Sequence, residues 1–231
     1  MNSPYNFGRT GTVSTVEIRN RVLRNTYWLL ALSMVPTVLG AWVGVATGFS
    51  LFAATSPAMS LLAFFAIAFG FMFAIEKTKH SSAGVFVLLG FTFFMGLMLS
   101  RLLSFILGFS NGPSLIMMAF GGTGVIFAAM ATVATVSKRD FSGLGKWLFM
   151  GVIVLLLAMV ANIFLQLPAL MLTVSVLAIV IFSAYMLFDV QRVVNGGETN
   201  YISATLAIYL DLYNVFTNLL ALLGIFGGNR N

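Results

Sequence analysis

Seven apolar stretches, each about as long as a bilayer is thick, divide this chain, and little else about it matters as much for the fold. About 20 apolar residues in a helix cross the hydrocarbon core. By that length the spans fall at Tyr27–Thr47, Ala58–Ile75, Ala83–Phe105, Leu115–Val136, Trp147–Leu165, Ala169–Asp189 and Ile202–Phe226. Polar breaks separate them: "EKTKHSS", "SNGPS", "SKRDFSG", "QLP" and "VNGGETN" follow the second to sixth spans. Only 8% of the 231 residues are charged and 60% are hydrophobic. A water-soluble domain carries about 25% charged residues, so this surface is built for lipid. The expected fold is all-α: a polytopic membrane protein with a seven-transmembrane-helix bundle over 26–228, preceded by a polar tail over 1–25. That tail, "MNSPYNFGRTGTVSTVEIRNRVLRN", lacks the apolar core of a cleavable signal peptide.

The basic residues orient the bundle. With the N-terminus in the cytoplasm, the inner segments hold Arg9, Arg19, Arg21, Arg24, Lys77, Lys79, Lys138, Arg139, Lys146 and Arg192. The outer segments hold Arg230, with Arg101 toward the outer end of the third span. Lys and Arg concentrate on the cytoplasmic side of membrane proteins, so the N-terminus is read as cytoplasmic and the C-terminus as outside. The net charge of +6 thus reflects topology, and no nucleic-acid partner is expected. The absence of cysteine excludes disulfides, thiolate catalysis and Cys-ligated metals. Small residues recur at Gly40, Gly44 and Gly48 and cluster at Gly121, Gly122 and Gly124. Such spacing permits close helix approach, either as ordinary packing or as a pore-lining surface.

Of six acidic residues, Glu17, Glu76, Asp140 and Glu198 fall in inner segments, whereas Asp189 and Asp211 lie inside spans. A charge at the centre of a bilayer helix costs about 3 kcal/mol on insertion scales, so such residues face protein or water and are functional candidates. Asp189 precedes Gly196 by about 10 Å of helix and Asp211 follows Ile202 by about 13 Å. The Gly196–Gly197 stop folds the last two spans into a hairpin, which places both acids at similar depth in the cytoplasmic half. Close like charges resist joint ionisation, so a facing pair would share a proton and titrate as a unit. Asn214 and Asn218 extend the Asp211 stripe at helical spacing, as Tyr185 and Arg192 do for Asp189. The two stripes read either as walls of a hydrated path or as an Asp189–Arg192 ion pair beside a hydrogen-bonded Asp211. Arg101 either reaches the outer interface or serves as a counter-ion. His80 is read as solvated.

No catalytic motif accompanies the acids. Intramembrane aspartyl proteases pair Tyr-Asp with Gly-x-Gly-Asp, whereas these acids follow Phe188 and Leu210. The zinc-helix and nucleophile-elbow patterns are also missing. The chain is read as no enzyme and as needing no cofactor.

Four segments resemble the Bax inhibitor-1, or transmembrane Bax-inhibitor-motif, family: "FMGLMLS" (Phe94–Ser100), "AFGGTGVIF" (Ala119–Phe127), "LFDVQRVVNGGETNYI" (Leu187–Ile202) and "ATLAIYLDLYNVFTNLL" (Ala204–Leu220). "VLRNTYWLL" (Val22–Leu30), "MVANIFLQLPAL" (Met159–Leu170) and "GGETNYI" (Gly196–Ile202) look closest to its bacterial YccA-like branch. The resemblance implies seven spans in the bacterial inner membrane and two roles. The branch implies a modulator bound to the membrane-anchored FtsH protease, engaged through the tail Met1–Asn25. The wider family implies a pH-sensitive calcium leak in which Asp189 and Asp211 match the gating pair and meet calcium only transiently; deprotonation opens the path. The branch puts the modulator first. Where many members carry Gly-Pro, this chain has Ser100-Arg101, which bears on how any path would open outward.

Overall fold

The computed structural model describes residues 15–49 and 56–229. These form seven α-helices and, among the described residues, no strand: α1 (Thr15–Thr47), α2 (Pro57–Thr78), α3 (Ser82–Leu107), α4 (Gly112–Val136), α5 (Leu144–Leu165), α6 (Pro168–Val194) and α7 (Tyr201–Gly227). All seven are long and apolar enough to cross a membrane. Every helix runs a little beyond the bilayer-length stretch that marks it in the sequence. The largest extension is at α1, which begins at Thr15, inside the polar segment 1–25. Its first turns bury Val22 against Val193 and Ala204, and Thr205 Oγ1 donates to Thr26 O at 3.3 Å. Residues 1–14 lie outside the described residues.

Local chemistry sets the helix ends. Ser56 Oγ accepts from the Met59 amide, with Pro57 at the first helical position of α2. Between α5 and α6, Gln166 takes a left-handed conformation (φ 51°) and Asn162 Oδ1 accepts from Leu167 N at 2.9 Å. Pro168 then opens α6. At the α6–α7 turn, Gly196 adopts φ +77°, as the left-handed residue that ends many helices does.

Cross-links between connections establish the up-and-down order. Asn200 Nδ2 donates to Lys79 O at 2.8 Å, tying the α6–α7 turn to the α2–α3 turn. At the opposite end, Asn111 Nδ2 donates to Gly227 O and its Oδ1 accepts from Asn229 N, tying the α3–α4 turn to the end of α7. One end therefore gathers the start of α1 and the α2–α3, α4–α5 and α6–α7 turns with their Arg and Lys residues. We term it the basic end.

The tightest contact joins α1 and α3, which run parallel. A Cβ on Gly96 would clash with the carbonyl of Thr37 and lie 2.9 Å from Ala41 N, and one on Gly40 would lie 3.0 Å from the carbonyl carbon of Phe93. Gly44 meets Ser100 in the same seam, with its Cβ position 2.5 Å from the Ser100 side chain. These glycines serve packing. Gly48, by contrast, takes φ +64° at the end of α1 and faces open space. α7 lies against this pair: Tyr213 OH donates to Met95 O at 3.1 Å, and Tyr209 OH lies 2.9 Å from Thr37 Oγ1. Thr37 Oγ1 also reaches Ser33 O and Tyr209 OH the Thr92 carbonyl, so either hydroxyl can donate between them. α4 packs across both α6 and α7, and α5 is held chiefly by α6.

Candidate functional site: a carboxylate pair between the last two helices

The hairpin brings Asp189 of α6 and Asp211 of α7 within hydrogen-bonding reach of each other. Asp189 is 8% exposed and Asp211 4% exposed. α7 is positioned at its start by Asn200, whose Oδ1 accepts from Ile202 N and Ser203 N at 2.9 and 3.1 Å. That cap carries Asp211 to the depth of Asp189.

Charges facing the pair come from the basic end. Arg192 Nη1 lies 3.4 Å from Asp189 Oδ1 and Nη2 lies 3.6 Å from Glu198 Oε2, with the guanidinium 5.6 Å from the Phe188 ring centre. The Arg192 side chain is 42% exposed, so solvent screens its hold on Asp189. Among the described residues no such cation reaches Asp211, and its buried Oδ2 has no hydrogen-bond partner there. Carboxylate oxygens only accept. Two of them held this close favour a proton between them over joint ionisation. The arrangement can take up and release a proton. It supplies fewer oxygens than the ~6–8 that calcium takes, so a cation there would be a passing occupant. Among the described residues no group of three or more His, Asp or Glu side chains could hold a metal.

The flanking polar residues fall around this pair unequally. Tyr185 is close enough to feel both carboxylate charges, and its ring meets Phe188 edge-on. Asn214 and Asn218 are half-buried and donate to carbonyls of their own helix, Leu210 O and Asn214 O, each at 2.8 Å. Beyond Asn218 the stripe meets an apolar cluster of Ile106, Phe109, Leu115, Ala119 and Leu220 at the far end. Arg101 lies exposed on the half of α3 away from the basic end.

Sequence reasoning passed over Gln191. Its side chain is 5% exposed. Oε1 accepts from Phe141 N and Nε2 donates to Arg139 O, both at 2.7 Å, which clamps the α4–α5 connection to α6. In the same connection Asp140 accepts from the Ser142 amide and hydroxyl, and that holds its carboxyl below the usual carboxylate range. In the sequence Gln191 is only one polar residue two after Asp189, with nothing nearby to name its partners. Gln191→Leu would leave the Phe141 N–H and Arg139 C=O unpaired, at a cost of about 2 kcal/mol. Amide exchange at Phe141 should accelerate in that variant, and unchanged protection there would refute the clamp.

Comparison with known proteins places these features in a context. Residues 19–228 match the family described as "Inhibitor of apoptosis-promoting Bax1". An Escherichia coli K12 protein named "Modulator of FtsH protease YccA" is 39% identical over 216 residues, covering 94% of this chain and 93% of that one. Its counterpart in a second Escherichia coli strain, with the same identity and coverage, is named "Inner membrane protein YccA". A Vibrio cholerae "Uncharacterized membrane protein" is 37% identical over 229 residues, 99% of this chain and 100% of its own length. None of these names is that of an enzyme.

Proposed function

The chain belongs to the Bax inhibitor-1 family, and from that membership we propose that it is a multi-pass inner-membrane protein that binds the membrane-anchored FtsH protease and modulates its degradation of other membrane proteins. The observation that carries this reading is the near full-length match to a protein named for that role. A bundle of short turns with no domain outside the membrane-spanning helices, among the described residues, suits a protein that acts by contact within the bilayer. On this reading the basic end faces the cytoplasm, because the positive charge gathers there, and the N-terminal tail is the part the protease engages.

α1 is helical from Thr15, so removing residues 1–14 spares every described helix. In cells, that truncation should lengthen the protein's own FtsH-dependent half-life several-fold while leaving its thermal unfolding unchanged. An unaltered half-life would take the tail out of the interaction. Co-isolation of FtsH with the full-length chain from mild detergent tests the binding itself.

A second reading is favoured by the buried pair: a proton-sensitive cation leak along the α6–α7 stripes. The direction follows from charge. At acid pH a shared proton bridges the two carboxylates and holds the hairpin together. As pH rises that proton leaves, two buried like charges repel, and the path opens. Flux should therefore rise with pH. The two roles are compatible in one molecule.

A further inference from the structure

Hydrogen bonds and close contacts divide the bundle into two bodies that meet at the carboxylate pair. α7 belongs with α1 and α3. Thr205, Tyr209 and Tyr213 reach Thr26 O, Thr37 Oγ1 and Met95 O, and Ile106 packs on Gly224 near the end of α7. The buried residues of α7 run its whole length, from Ile202 and Ile208 through Val215 to Leu220 and Gly224. α5 and α6 form the second body. A Cβ on Gly145 would lie 2.8 Å from the Phe188 ring, and one on Gly151 would lie 3.0 Å from Ile181. The two helices therefore touch closely at two levels, and Gln191 fastens the α4–α5 connection to α6. α4 is tied at one end to each body, through Asn111 to Gly227 and through that connection to Gln191.

α6 is held unevenly along its length. Met186, Asp189, Val190, Gln191 and Val193 are buried near the basic end, whereas in the other half just Ser175 and Ala178 are buried. In that half a lateral cleft lined by Leu172, Thr173, Val176, Leu177, Leu222 and Phe226 parts α6 from α7. Segments with few buried contacts open at low cost, and hinges form where a short turn absorbs the rotation. The turn at Gly196, with φ +77°, lies at the well-packed end of α6 and suits that role.

We propose that α5 and α6 swing as one arm about the α6–α7 turn, opening the far half of α6 from a stationary α7. The carboxylate pair sits close to the pivot. Asp189 lies about 10 Å of helix from Gly196 and Pro168 about 42 Å, so an opening of about 1 Å at the pair becomes about 4 Å at Pro168. The swing follows from packing and rests on neither functional reading.

Double electron–electron resonance on the full chain in lipid nanodiscs tests it, and a chain without native cysteine takes label at introduced sites alone. Phe86→Cys in α3, Phe149→Cys in α5, Met171→Cys in α6 and Ile225→Cys in α7 all fall at exposed positions, so spin-labelled pairs of them should fold. The Phe86–Ile225 distance, within the first body, should be narrowly distributed. So should Phe149–Met171, within the arm. The Phe86–Met171 distribution, from one body to the other, should be broader by about 4 Å. Equal widths for Phe86–Met171 and Phe86–Ile225 would overturn the swing. A Phe149–Met171 distribution as broad as Phe86–Met171 would also overturn it, because α6 would then move without α5.

Discussion

Gly96→Val is expected to leave little folded protein in detergent extracts, because the added side chain would meet backbone. The Cβ position at Gly96 overlaps the Thr37 carbonyl and sits 2.9 Å from Ala41 N, and no rotamer change can relieve either clash. α1 and α3 would have to separate, and their parallel seam also depends on Gly40 and Gly44. Overpacking a close-fitted interior costs about 1–3 kcal/mol where side chains can yield; against rigid helix backbone the loss should reach or exceed the upper figure. That is a large part of a domain's total stability of about 5–15 kcal/mol. Size-exclusion profiles and thermal unfolding in micelles provide the measurement, with Gly70→Val as the control in open space. Equal unfolding midpoints for the two variants would show that the α1–α3 seam is not the tight contact described.

Asp211→Asn is expected to abolish the pH dependence of any cation flux, and to do so by locking the pair closed. The amide is nearly the size of the carboxyl and carries its own donors. It can therefore bridge to Asp189 at every pH, as the shared proton does only at acid pH. Calcium flux into proteoliposomes near pH 8 should fall to the wild-type level near pH 6. The fold should survive, since the substitution adds no volume and pairs an acceptor. Asp189→Asn should act in the same direction, leaving Arg192 with Glu198 as its partner. A variant that keeps the full rise of flux with pH would remove Asp211 from the gate. Absence of flux from folded wild-type protein would remove the leak reading and leave the protease reading standing.

Much of this architecture was legible in the sequence, because the bilayer imposes a single length on every helix. The hairpin was readable for a further reason: Asp189 precedes Gly196 by seven residues and Asp211 follows Ile202 by nine, and helical rise converts such spacings into depth. Hydropathy failed at α1. Residues Thr15–Asn25 are too polar to register as a span, yet Val22 and Thr26 recur at helical spacing and pack on α6 and α7. Gly40 and Gly44 stood out as a repeat, while Gly96 did not, since its partner is a carbonyl on another helix and leaves no local pattern. Gln191 was hidden likewise: its partners are backbone groups about fifty residues away.

The proposed modulation of FtsH is tested most directly by the half-life of another membrane protein that FtsH degrades. Pulse-chase in cells with and without the full-length chain would measure it. The account predicts slower decay of that client in proportion to the amount of chain present, with FtsH co-isolating with it. Unchanged decay, from chain shown to be folded and in the inner membrane, would contradict it.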